Sequence, residues 1–155
     1  MPITSTDRKA GIYPYYGASG IVDYVEDYIF DEAILLISED DANLVMRSTP
    51  IAFSVSGKLW ANNPAHVIRF ESKATQKYIE VCFALTDISG SITGTAQPKQ
   101  NQAKLNAMLF CIPPMELQER FAPFVEQIDK SKVIVQKALD EAQALFDSLM
   151  QEYFG

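Results

Sequence analysis

From Phe121 to Tyr153 apolar residues return at alternating steps of four and three, at Phe121, Val125, Ile128, Val135, Leu139, Ala142, Phe146, Leu149 and Tyr153, with Lys132 the one polar occupant of the series. That is the heptad spacing of a helix that lies along another helix. The Pro113-Pro114 pair closes whatever precedes it and suits a first helical turn, so the spacing predicts one continuous helix from Pro114 to Gly155. At about 1.5 Å per residue such a helix is on the order of 60 Å long, more than the rest of the chain can cover. It needs a partner.

Setting the helix aside at residues 113–155 leaves residues 1–112 for one compact domain, and a hydrophobic content of 48% is enough to give that domain a core. The chain contains no uncharged apolar run of about 18 residues, and its first residues, Met1-Pro2-Ile3-Thr4-Ser5-Thr6-Asp7, lack the pattern of a signal peptide. The expectation is a cytoplasmic protein with no membrane partner. Cys82 and Cys111 lie far apart in apolar surroundings, which predicts buried thiols rather than a disulfide, a metal site or a nucleophile.

A net charge of −7 argues on its own against a polyanionic partner. The distribution qualifies that. Eight acids and no base fall between Asp23 and Asp41, whereas Ala42–Phe70 has no acid and carries Arg47, Lys58, His66 and Arg69. A second acid-free stretch, Ile88–Met115, holds Lys99 and Lys104. The helix from Glu116 onward has eight acids against four bases and so accounts for four of the seven excess negative charges. A neutral to basic face on the preceding domain is therefore available, built from the two acid-free segments.

Within residues 1–112 the reading is mainly strands. Tyr13-Pro14-Tyr15-Tyr16, a tight Gly17-Ala18-Ser19-Gly20 turn, Ile21–Val25 and the apolar run Ala33–Ile37 are β-type sequence. Ile51–Val55 enters a Ser56-Gly57-Lys58 turn, and Ala65–Phe70 alternates as a strand does. A helix is expected over Lys73–Thr86, capped by Ser72, with Tyr78, Val81, Cys82 and Leu85 on one face. Ser89–Gln102 reads as loop, and Met108–Ile112 as a last strand. The fold class is α/β in the α+β, sheet-rich sense, followed by a long C-terminal coiled-coil helix.

Several segments, in this order and at these spacings, resemble one half of a type I restriction-modification specificity subunit. They are Tyr13–Gly20 with Asp23-Tyr24, Phe30-Asp31, Leu35–Asp40, Trp60-Ala61-Asn62-Asn63, Gly94–Lys99, and Ile112–Gln118 leading into the helix. The resemblance implies a target recognition domain that reads part of a bipartite site in double-stranded DNA, and a helix that spaces it from a second such domain. It further implies a non-catalytic subunit without cofactor or metal that docks the modification (methyltransferase) subunit and the restriction subunit. With one recognition domain and one helix, the chain is expected to work as a homodimer on inverted half-sites. The chain departs from the family pattern at Asp41 (usually Gly), Pro64 (usually His) and Gln100 (usually apolar), and it begins where part of the recognition domain would already have been made.

Asn62, Asn63 and His66 surround a turn marked by Pro64, and Asn amides pair with adenine while imidazole donates to bases or phosphates. Thr93, Thr95, Gln97 and Lys99 bring small hydroxyls, an amide and a cation to one loop, which suits phosphate and base-edge contacts. Arg47 and Lys58 are the remaining expected phosphate partners. The same residue types also make solvated loops, turn caps and a half-buried histidine, and the residues alone leave that choice open. Glu39-Asp40-Asp41 has no nearby His or Cys to complete a metal or acid/base site. Phe121, Val125, Ile128, Val135, Leu139, Phe146 and Leu149 form the expected partner face of the helix. A second reading makes the chain a truncated, non-DNA-binding oligomerisation or regulatory remnant of such a subunit.

Overall fold

A computed structural model of the chain describes residues 3, 7–39, 43–62, 65–93, 99–100 and 102–154. The apolar run near residue 35 organises it. Strand β4 (Ile34–Ser38) is buried along its whole length, and Ile34, Leu35, Leu36 and Ile37 each have 0% of their surface exposed. A strand can be apolar at every position only when both of its faces are covered. Alternate side chains go to opposite sides: Leu35 and Ile37 join Leu44, Ile51, Ile79, Phe83, Ile88 and Leu105, while Ile34 and Leu36 join Val55, Leu59 and Ala61.

The covering layers follow from that alternation. Strand β4 pairs antiparallel with β5 (Ala52–Val55) on one side and β7 (Ala65–Ile68) on the other. One face of this sheet meets the helix α2 (Lys73–Leu85), through Ile79 and Phe83. The other meets a second sheet made of β1 (Ala10–Gly17), β2 (Gly20–Val25), β3 (Phe30–Asp31) and β6 (Lys58–Ala61), in the order β2-β1-β6-β3. Within it β1 and β6 run parallel, Tyr15 beside Trp60 and Tyr16 beside Ala61, and the other pairings are antiparallel. The body is thus three layers, helix on sheet on sheet.

Gly11 sits where the register of β1 against β2 shifts between Ala10 and Tyr13. A Cβ there would overlap the Val25 and Glu26 backbone, so the bulge admits glycine alone.

Ser72 caps α2 as its sequence position predicts, its hydroxyl accepting from the amides of Ala74 and Thr75. The face expected to be buried turns differently. Gln76, Ile79 and Phe83 form the stripe against the sheet, with the Gln76 amide donating to the Ile34 carbonyl at 3.2 Å. Tyr78, Val81 and Cys82 are half-buried and Leu85 is 82% exposed, because that side of α2 faces the C-terminal helix and the groove beside it.

Three expectations are corrected after α2. The stretch read as loop contains a 3-10 turn (Ser89–Ser91) and a short antiparallel ladder between β8 (Ile92–Thr93) and β9 (Lys99–Gln100). A short helix α3 (Gln102–Asn106) follows, and Met108–Ile112 is irregular rather than a strand. Met108 and Phe110 pack on the first core cluster and Phe110 lies 5.1 Å from the Phe83 ring, so the strand-like alternation reflects burial of alternate side chains with no ladder behind it. Cys111 is exposed and Cys82 half-buried, both as free thiols; the Cys111 carbonyl accepts from the Tyr78 hydroxyl at 2.7 Å.

The last element, α4 (Met115–Phe154), runs unbroken for 40 residues. It runs through Pro123, which removes one backbone hydrogen bond from the helix interior. Packing at its root offsets this: Ala122 is buried, Phe121 meets Tyr78 edge-on at 5.7 Å, and Lys77 reaches Asp129 at 3.3 Å. Beyond Lys132 every described residue of α4 is exposed.

Candidate nucleic-acid interface

Two of the expected contact residues bracket strand β6: Lys58 opens it and Asn62 follows its last residue. Gly57, at φ +84, takes the left-handed conformation that turns β5 into β6 and sets Lys58 on the exposed rim. The Lys58 ammonium lies 4.7 Å from the centre of the Tyr28 ring and 6.0 Å from that of Tyr13, and the two rings meet edge-on at 5.0 Å. The hydrogen bond with the Tyr28 hydroxyl, then the charge interactions with Tyr28, Tyr13 and Asp31, hold the Lys58 pKa above the ordinary lysine value. Asp31 is its register partner across β3 and β6. Lys58 is therefore an exposed cation set over two tyrosine rings.

At the other end of β6, roughly 13 Å away by strand rise, the carboxyl ends of β1, β6 and β4 come together. The Asn62 amide donates to the Tyr16 carbonyl at 2.9 Å, and the Asn62 carbonyl accepts from Ala65 at 3.3 Å. Ser38 closes β4 opposite Ala65. Asn62 Oδ1 and Ser38 Oγ are both buried here without a hydrogen-bond partner. Such atoms are costly to leave unmade and recur where a ligand or water completes them. His66, on β7, is half-buried opposite Ile37, and Asn63 lies outside the described residues. The Tyr16 hydroxyl, raised above its ordinary value by burial and then by Tyr24, stays a neutral donor near this end.

The remaining expected contacts fall elsewhere. Arg47, at φ 51, ends the short helix α1 (Asn43–Met46) and turns its guanidinium onto the last turn of α2, donating to the Phe83 carbonyl at 2.9 Å and the Thr86 carbonyl at 2.7 Å. Thr93 and Lys99 are register partners on β8 and β9, a hairpin rooted through Ile92 in the first core cluster. Thr95 and Gln97 lie outside the described residues. The structure therefore leaves Lys58 and Asn62 at opposite ends of β6, and sets Arg47 with the β8–β9 root at the end of α2. Sequence reasoning missed Tyr13, Tyr28 and Ser38. The tyrosines carried a signal in their aromatic spacing around an acid-rich turn; Ser38, closing an apolar strand, carried none.

The comparisons with known proteins decide what such a body and helix belong to. The model of the type I restriction modification DNA specificity domain matches residues 1–143, the sheets and most of the helix. The chain belongs to that family. A protein of Haemophilus influenzae that bears the name of a type I restriction enzyme specificity subunit is 31% identical over 127 residues, which is 82% of this chain and 32% of that protein. The chain thus spans about a third of the length of that relative. Specificity domains are the non-catalytic part of their systems, and among the described residues no helix is long and apolar enough to cross a membrane.

Proposed function

We propose that this chain is a DNA sequence-recognition subunit of a type I restriction-modification complex. Residues 1–112 bind half of a bipartite double-stranded site, and residues 113–155 set its distance from a second half. One observation carries the reading: the family match covers the body and the helix together, and from Val135 onward the apolar seam of the helix is bare. A recognition domain joined to an unpartnered rod is what a spacer needs. The two ends of β6 supply contacts of two kinds, an exposed cation for phosphate at Lys58 and a side-chain amide for base edges at Asn62.

In this reading two copies pair through α4 and read inverted half-sites, and the modification subunit, with or without the restriction subunit, docks on the assembly. The chemistry of methylation and cleavage belongs to those partners. The protein works in the cytoplasm, where its DNA is.

Selection of bound duplexes from a random double-stranded pool tests the proposal. Enrichment of a two-fold symmetric, interrupted motif is expected. A folded dimer that enriches nothing favours the second reading, an oligomerising remnant without DNA recognition, for which the overall acidity speaks.

A further inference from the structure

The segment that leads into α4 lies antiparallel along α2. Phe110 sets its ring 5.1 Å from that of Phe83, the Cys111 carbonyl accepts from the Tyr78 hydroxyl at 2.7 Å, and the Ser72 hydroxyl donates to the Met115 sulfur at 3.7 Å. As the segment advances it meets α2 at Phe83, then Tyr78, then Ser72. Cys82 falls between the first two of these and stands one helical turn from Tyr78, on the same side of α2. The two cysteines of the chain, far apart in sequence, therefore come together around the Tyr78 hydroxyl.

The state of that hydroxyl agrees. Its pKa is held above the ordinary tyrosine value, first by a hydrogen bond with the Cys82 side chain, then by desolvation, by the charge of Cys82 and by that of Cys111. One oxygen thus senses both sulfurs. Access to them differs, Cys111 being exposed and Cys82 half-buried.

We propose that Cys82 and Cys111 form a reversible disulfide that staples α2 to the root of α4. The oxidant it takes is a small disulfide of the glutathione type. Cys111, as its thiolate, attacks one sulfur of that disulfide; the S–S bond breaks, one glutathione thiolate leaves and a mixed disulfide forms on Cys111. Cys82 then loses its proton to solvent and attacks the Cys111 sulfur, expelling the second glutathione thiolate. Two protein thiols are oxidised, one glutathione disulfide is reduced, and the two protons given up by the cysteines end on the two glutathione thiols. In a reducing compartment the dithiol is the resting form, and the bond records an oxidising episode.

The place of the bond gives it a consequence. Cys111 stands four positions before Met115, the first residue of α4, and Tyr78, which holds the Cys111 carbonyl, also meets Phe121 of α4 edge-on at 5.7 Å. A link between Cys82 and Cys111 closes a loop of about 30 residues that contains β8, β9 and α3. It fixes the short lead before α4 on α2 and with it the direction in which the helix leaves the body. The chemistry needs nothing from DNA or from a second copy.

The test equilibrates the reduced full chain with graded ratios of oxidised to reduced glutathione, quenches with acid, counts free thiols by maleimide gel shift and maps linked peptides by mass spectrometry. The expected product is an intramolecular link between the Cys82 and Cys111 peptides, lighter than the dithiol by two hydrogens, at a yield independent of protein concentration. In concentrated urea the same link is expected to need a glutathione ratio about tenfold more oxidising, because the folded chain holds the pair together. The oxidised chain is expected to melt roughly 5–15 °C higher, and amide exchange from Leu109 to Gln118 to slow. Tyr78→Phe, which keeps the ring and loses the bond to the Cys111 carbonyl, makes the link several-fold harder to form. A chain that stops at glutathione on Cys111 with Cys82 still free overturns the proposal, as does a link between the Cys111 residues of two copies as the main product. Equal oxidation in buffer and in urea overturns it too, and unchanged amide exchange in the linked chain overturns the fixing of the helix root.

Discussion

The Arg47 guanidinium holds the end of α2 through Thr86, donating to its carbonyl at 2.7 Å while the other terminal nitrogen donates to the Phe83 carbonyl at 2.9 Å. Helix carbonyls in the last turn lack intrahelical donors, and a planar two-pronged cation satisfies two of them at once. Arg47→Ala is expected to cost about 2 kcal/mol in chemical denaturation, as lost hydrogen bonds to a charged group do. Arg47→Lys recovers little of it, since an ammonium cannot serve both carbonyls in that geometry. If Arg47 contacts phosphate as well, the salt dependence of DNA binding drops in the same variants; with a purely structural role it does not move.

The two-sided burial of β4 makes a specific prediction about its core. Leu35→Ala and Leu36→Ala point to opposite layers, and each is expected to destabilise by about 2–5 kcal/mol in urea unfolding. On a strand covered on one face only, one of the pair is nearly silent.

Lys58 and its tyrosines separate charge from positioning. Lys58→Gln is expected to weaken DNA binding on all sequences and reduce the slope of log affinity against log salt by about 0.9, the value for one phosphate contact. Tyr28→Phe keeps the ring and loses the hydroxyl; it weakens binding with the slope unchanged. An unaltered slope in Lys58→Gln removes this lysine from the interface.

Asp87 gives the pH prediction. Its carboxylate accepts from the Ser89 amide at 2.9 Å and the Ser89 hydroxyl at 3.1 Å, and these bonds, with the Arg47 charge, hold its pKa below the ordinary value of 3.8. A depressed folded-state pKa contributes stability above pH 3.8 that is lost as pH falls through the folded value. Carbon-detected NMR titration is expected to show Asp87 titrating late on acidification, and Ser89→Ala moves it part of the way back, because the backbone bond remains.

The legible parts of this fold were those with a local cause. The Ser72 cap, the apolar run at Ile34–Ile37 and the heptad spacing of α4 each state their structure within a few residues. What misled was burial without regularity: Met108 and Phe110 alternate like a strand because they pack on Phe83 and its neighbours, with no ladder beside them. The β8–β9 pairing depends on two residues a side, too little for a periodic signal. At the candidate site, Lys58 and Asn62 were readable as surface chemistry on a turn. That Arg47 is turned onto α2, and that Tyr13 and Tyr28 gather under Lys58, depends on contacts between residues far apart in the chain.

The most direct measurement joins the purified chain to a type I modification subunit with which it forms a stable complex and maps adenine methylation on genomic DNA by sequencing. Methylation confined to a two-fold symmetric bipartite motif is the predicted result, and it reports recognition, spacing and docking in one reading. A stable complex that methylates no defined motif contradicts the account and leaves a scaffold without specificity.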